Sequence, residues 1–484
     1  MKGRVHEQRG SVTGGRRSAR RTRLSILVWV LALAVLTVPL WAQAAGSIVL
    51  VTLDDDSPKA QNETTIAAFA NHDNILVATA RDLRLPTGFS WPGYYRSTDG
   101  GEHWTNALVP GFPGDTSPEG EASPAHLVGW MIGSDPVITS DSEGRVYLAW
   151  LAFNPETTGF AGWVVLSVYS NFGATYEFTS TVFTGHRTAS PLEGGPGSSR
   201  ITDKEWIAVD DTGGDCDGNV YIPWAFFNGS FGTKIVFQRS TDGGHTFSPL
   251  LNLSHPPNVQ NQGATIAVGP TGEVYVAWED FHKDRILFTR SLDCGQTFEP
   301  ERPIASIVPV PEPLPGNGYR LDSFPRMAVD QGTGGIYIAW ADFRSGDADV
   351  LLTRSVSGGT SWSSPIRVND VAKNHQIFPA ITVFGGSLDV VFYDSRNDPE
   401  AKLLDVYDAR STDGGVTFMP NVRVTGTPFD PNIGIAGGGT VPFLGDYNGV
   451  AANGLGVHPV WADNRNIRPE APVDQDIFTA VVPY

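Results

Sequence analysis

Short runs of alternating apolar and polar residues recur along the chain, and they recur as copies. KIVFQ (234–238), RILFT (285–289) and DVLLT (349–353) have the period of two expected of half-buried strands. A second echo precedes each of them. EVYVAW (273–278) matches RVYLAW (145–150), NVYIPW (219–224) and GIYIAW (335–340), with looser forms at NILVAT (74–79), LDVVFY (388–393) and GVHPVW (456–461). Upstream of these sits another strand-like run, as in WIAVD (206–210), TIAVG (265–269) and RMAVD (326–330). The second-strand echoes end at Thr79, Trp150, Trp224, Trp278, Trp340, Tyr393 and Trp461, with gaps of 53 to 74 residues. A repeat of that length, holding about four strands, predicts an all-β propeller of four-stranded blades.

Seven blades are favoured, with six the alternative. The last unit predicts strands near 448–452, 457–462 and 476–481, and then the chain ends. The run GSIVLVT (46–52) is a spare strand. Paired into the last blade, it closes the ring and removes both open edges.

A polar turn follows the third strand of most units. RSTDGGEHW (96–104), RSTDGGHTF (239–247), RSLDCGQTF (290–298) and RSTDGGVTF (410–418) are near-identical, and SVSGGTSW (355–362) and YSNFGATY (169–176) are decayed copies. Serine and aspartate side chains bond turn amides, glycines supply positive φ, and the closing aromatic packs under the sheet. These six turns resemble the Asp box (the BNR repeat) of the sialidase superfamily, S-x-D-x-G-x-[TS]-[WF]. The resemblance covers essentially the whole chain beyond its first 44 residues and implies the propeller fold. It implies less about activity, because catalytic and non-catalytic propellers share the turn.

Composition places the chain in a compartment. Its first 44 residues hold eight Lys/Arg and one acid, then an uncharged run at 24–40, then Ala42-Gln43-Ala44. This reads as a secretory signal peptide, residues 1–44, ahead of one propeller domain, residues 45–484; a retained membrane anchor is the alternative. Removing the signal's eight bases and one acid from 34 and 52 leaves 26 and 51, a net charge of −25. That excludes nucleic acid as a partner, and a membrane once the signal is cut. The expected partner is a glycan or polysaccharide, or a protein, and the expected location is secreted or cell-envelope. No cofactor is required. The loop Asp215-Cys216-Asp217-Gly218-Asn219 has alternating oxygen ligands that would admit adventitious calcium, but Val220 and Phe226 stand where a calcium loop needs glycine and a bidentate acid.

Turns between first and second strands, and between third and fourth, share one face. The long Pro- and Gly-rich connections near 109–133, 184–203, 304–323 and 425–444 fall on the other, the expected binding face. Just after the second strands come Asp82-Leu83-Arg84, Asp342-Phe343-Arg344, Asp394-Ser395-Arg396 and Asp463-Asn464-Arg465. Arg84, Arg344, Arg396 and Arg465, with Arg320, are candidates for binding an acidic sugar; the other reading is ion pairs that fix each loop. Asp446-Tyr447, Lys204-Glu205-Trp206, Tyr319-Arg320-Leu321-Asp322 and Arg326 should also lie near the channel mouth. The resemblance implies an acid/base aspartate, for which Asp82 ranks first, and a tyrosine nucleophile activated by a glutamate, for which Tyr447 and Glu205 stand. The Arg-Ile-Pro motif of sialidases is absent; Arg81 and Arg84 are the nearest cations in the first blade. Two functions follow: an exo-glycosidase of exo-alpha-sialidase type, or a non-catalytic exported propeller that binds protein or polysaccharide. Cys216 and Cys294 fall on the same face of adjacent blades, so a disulfide is expected in an exported chain, with two separate thiols the alternative.

Overall fold

The structure is a computed structural model that describes residues 49–50, 59–154, 162–184, 200–228, 232–255, 260–321, 323–434, 441–467 and 474–484. The proposed signal segment, residues 1–44, lies outside the described residues. Seven antiparallel sheets form seven blades, in which successive strands pair except at the split inner strand of blade 3 and the N-terminal strand of blade 7. The inner strands are Gln61–Ala68, Ile132–Ser140, Arg200–Asp203 continued by Ala208–Val209, Asn261–Val268, Arg326–Val329, Gln376–Phe384 and Gly449–Asn453. Blade 7 is completed by the N-terminal strand Val49–Leu50, which pairs antiparallel with Asp476–Thr479 in the register Val49–Thr479 and Leu50–Phe478. The ring is therefore seven-bladed and closed from both ends of the chain.

The second-strand tryptophans explain why the echo is so regular. Trp150, Trp224, Trp278, Trp340 and Trp461 are all buried between sheets. Most find a partner for the indole N–H: Trp150 donates to Ser167 Oγ, Trp278 to Asn261 Oδ1, Trp340 to Asp342 and Trp461 to Asp463. A large ring with one polar edge suits this slot, since the apolar body fills the space between blades and the N–H stays satisfied.

The repeated turns share one geometry. In the first, Ser97 Oγ donates to Asp99 Oδ1 at 2.8 Å, Gly101 N–H donates to Ser97 Oγ at 2.9 Å, and His103 N–H donates to Asp99 Oδ1 at 2.9 Å. The turns at Ser240, Ser291 and Ser411 repeat these bonds. In the decayed copy, Ser357 Oγ takes the place of the aspartate and accepts from Ser361 N–H at 3.0 Å.

Cys216 and Cys294 are joined, with Cα atoms 5.5 Å apart. Cys294 sits at φ 59°, where the companion turns carry Gly100, Gly243 and Gly414. The Asp215–Asn219 segment is a tight turn in which Gly213 N–H donates to Asp217 Oδ1 at 2.7 Å. No helix among the described residues is long and apolar enough to cross a membrane.

Candidate functional site at the channel mouth

The inner strands carry a bulge at their channel-mouth end. The register slips between Asn62 and Thr65, Ser134 and Val137, Gln262 and Thr265, and Ile377 and Ala380. Glu63, Asp135, Gly263 and Phe378 lie inside these bulges with φ of 53°, 52°, 66° and 51°. Lys204, at φ 52°, breaks the inner strand of blade 3 at the same place. A bulge re-aims one side chain, and a non-glycine residue in the left-handed region marks a site worth a functional reading.

By position in the repeat, Phe324 and Asp446 complete this ring of seven. The ring is asymmetric. Asp446, Glu63, Asp135 and Lys204 stand on blades 7, 1, 2 and 3; Gly263, Phe324 and Phe378 stand on blades 4, 5 and 6. Glycine is required at 263, because a Cβ there would lie 2.2 Å from the Phe324 ring.

The charged half opens on a cavity of about 280 Å³. Its acids are Glu63, Asp135, Asp203 and Asp446, its bases Arg81, Lys204 and Arg320, and Val441 with Phe443 give it an apolar wall. Lys204 is the hub: its ammonium bonds Asp446 and lies 3.4 Å from Asp135 and 3.6 Å from Glu63. Arg320 reaches Asp446 Oδ2 at 2.6 Å and stacks over Phe443 at 4.7 Å. Gln262 donates to Asp203 Oδ2 at 2.8 Å.

Crowded, desolvated carboxyls cannot all ionise. Burial, then the charge of Asp135, raises Glu63 to about 8. Burial raises Asp203 to about 7 against the opposing pull of Lys204. Asp135 is also penalised by burial, but Lys204 outweighs that and lowers it to about 2. The Asp135 carboxyl is within hydrogen-bonding reach of both Glu63 and Asp203. A proton donor and an ionised carboxylate thus share one wall.

The sequence-stated candidates fall in different places. Arg320 lines the cavity, whereas Asp82, Arg84, Arg344, Arg396 and Arg465 are not among its lining residues. Each of the four arginines folds back onto the aspartate two residues before it: Arg84 Nη2 to Asp82 at 2.6 Å, Arg344 Nε to Asp342 at 2.7 Å, Arg396 Nε to Asp394 at 2.6 Å and Arg465 Nε to Asp463 at 2.9 Å. Asp82 is buried and also accepts from the Tyr95 hydroxyl at 2.7 Å. Tyr447 is buried beneath the cavity, its hydroxyl donating to the Pro136 carbonyl at 3.2 Å. Glu205 is buried with no side-chain partner for either oxygen among the described residues, and burial, then Asp135, holds its carboxyl well above the usual range. Glu63, Asp135 and Asp203 are absent from the sequence reading. The signal for Glu63 and Asp135 is one ring position reading E, D, K, G, F, F, D across the blades, and Asp203 stands one residue before its K.

No protein-family model matches the sequence, and no curated protein does. Solved structures do match. The phage phi92 endosialidase aligns with a TM-score of 0.50 at 9% identity, over 91% of this chain and 69% of that one. The GH93 α-L-arabinofuranosidase of Fusarium graminearum aligns at 0.49 with 11% identity, over 91% and 97% of the two chains. The NanB sialidase of Streptococcus pneumoniae aligns at 0.42 with 11% identity, over 90% and 70%. At these identities, the likeness to the endosialidase is one of fold.

Proposed function

We propose that the protein is an extracytoplasmic, Asp-box propeller that binds a glycan at the channel mouth and hydrolyses a glycosidic bond there. One observation carries this reading: Glu63 and Asp203 are pushed up to about 8 and about 7 while Asp135, in the same wall, is pushed down to about 2. Carboxyls whose proton affinities are set apart by their surroundings can divide the acid and base roles of a hydrolysis. Glu63 or Asp203 is the proton donor, and Asp135 is the ionised partner. Arg320 and Phe443 offer a cation and a flat apolar face to the sugar. The turn geometry at Ser97, Ser240, Ser291 and Ser411 supports the Asp-box reading.

The assignment of Tyr447 as nucleophile, Glu205 as its base and Asp82 as acid is less well supported. The Tyr447 hydroxyl is held well above its usual range by burial, then by Glu63, and burial, then Asp135, raises the Glu205 carboxyl as well. A second reading, binding without turnover, is favoured by the buried network that Lys204 ties together, since structural ion pairs also shift carboxyl groups.

The test is release of reducing ends from a panel of arabinan, sialoside and β-glucan oligosaccharides, run beside a binding assay. Turnover of one substrate class supports hydrolysis. Saturable binding with no product at any pH between 5 and 8 replaces it with the second reading.

A further inference from the structure

Directly under the mouth cavity, the channel is crossed by a layer the proposed reaction does not use. Arg326 opens the inner strand of blade 5, and its guanidinium lies over the Trp206 ring at 4.1 Å and the Tyr447 ring at 5.4 Å. Trp206 belongs to blade 3 and Tyr447 to blade 7. Side chains from blades 3, 5 and 7 of a seven-membered ring meet on the channel axis. The guanidinium therefore sits in the bore.

This cation is poorly compensated. Arg326 is 5% exposed, and among the described residues its side chain makes one hydrogen bond, a long one of 3.4 Å to the Pro325 carbonyl. A guanidinium has five N–H donors. No acid forms an ion pair with it among the described residues. The acid that acts on it, Asp446, is already held by Lys204 and Arg320. Burial, then Asp135, raises the Glu205 carboxyl well above its ordinary range, which disfavours a counter-charge there. Burial lowers the Arg326 guanidinium to about 10, so the strain falls on the charged form, yet it stays charged at neutral pH. Two aromatic faces offset part of the cost of burying an ion, and the rest needs a counter-ion.

We infer that the channel holds a small monovalent inorganic anion, a halide, against the Arg326 guanidinium between Trp206 and Tyr447. Arg326, Trp206 and Tyr447 are not among the residues that line the mouth cavity. The unused N–H groups of Arg326 are its ligands.

Bromide is the probe, because it mimics chloride and scatters anomalously. The protein, exchanged into sulfate buffer, is titrated with sodium bromide at constant ionic strength. The expected result is a saturable rise in Tm of about 2 °C or more, together with an anomalous peak at the Arg326 guanidinium in bromide-soaked crystals. Arg326→Met should keep the fold and lose the bromide-dependent rise. If that variant does not fold, the wild-type anomalous map decides alone. A map with no peak at Arg326, or a bromide effect no larger than that of added sulfate, overturns the proposal.

Discussion

Single side chains decide the charge of the mouth. Burial pushes Glu63 and Asp203 up to about 8 and about 7 in the fold, against ordinary values near 4.5 and 3.8. Between the ordinary and folded values, the native state binds more protons than the unfolded chain. Their contribution is therefore fully present below about pH 4 and is lost as pH rises through 7 to 8. Melting temperature should fall between pH 5 and 8 and level off above it. Glu63→Gln and Asp203→Asn should each flatten that slope, which calorimetry across the pH range would show. A wild-type slope of opposite sign would mean these carboxyls ionise as ordinary ones. Sequence reading singles out Lys204-Glu205-Trp206 and Asp446-Tyr447, because they begin inner strands near the channel mouth. It passed over Glu63 and Asp135. A bulge has no repeated letter, and only its backbone geometry turns those side chains into the bore.

At the scale of the element, the Asp-x-Arg repeats after the second strands are self-contained turns. Arg396 pairs with Asp394 and Asp370, bonds Asn421 at 3.0 Å and stacks on Tyr407 at 4.1 Å, nearly buried. Arg344 is more exposed and bonds Asp342 and the Ser306 carbonyl. Arg396→Ala should cost about 3 kcal/mol, because it strands the buried Asp394. Arg344→Ala should cost about 1 kcal/mol, since solvent screens it. Neither should weaken glycan binding by as much as tenfold. Urea melts and a binding assay on the same proteins test both statements. A loss of binding with unchanged stability would return these arginines to the ligand site. The repeat was legible because the motif is local in sequence; its role was not, since a turn pair and a ligand clamp use the same two residues. The disulfide is also an element-scale staple. It links a first-to-second-strand turn of blade 3 to a third-to-fourth-strand turn of blade 4, across 78 residues. Cys216→Ser with Cys294→Ser should cost up to about 4 kcal/mol, and thiol titration of unfolded, unreduced protein should find no free thiol.

At the scale of the whole molecule, ring closure depends on two residues from the start of the chain. Val49 and Leu50 cover the outer edge of Asp476–Thr479. Deleting residues 46–52 should expose that edge, lower Tm and promote association, read by light scattering. An unchanged, monomeric protein would mean the ring closes without the strap. Blade number and closure were legible because seven echoes and one spare strand are a counting problem. The working half of the mouth was not, because it is defined by how blades 7, 1, 2 and 3 differ at a position where the fold makes them alike. That difference is the centre of the account, and reducing-end release by wild type, Glu63→Gln and Asp203→Asn, measured side by side on the same oligosaccharide with Tm recorded for each, tests it most directly. The account predicts that at least one variant loses about 10²- to 10⁴-fold in kcat with no fall in Tm and no loss of affinity; wild-type rates in both variants would contradict it.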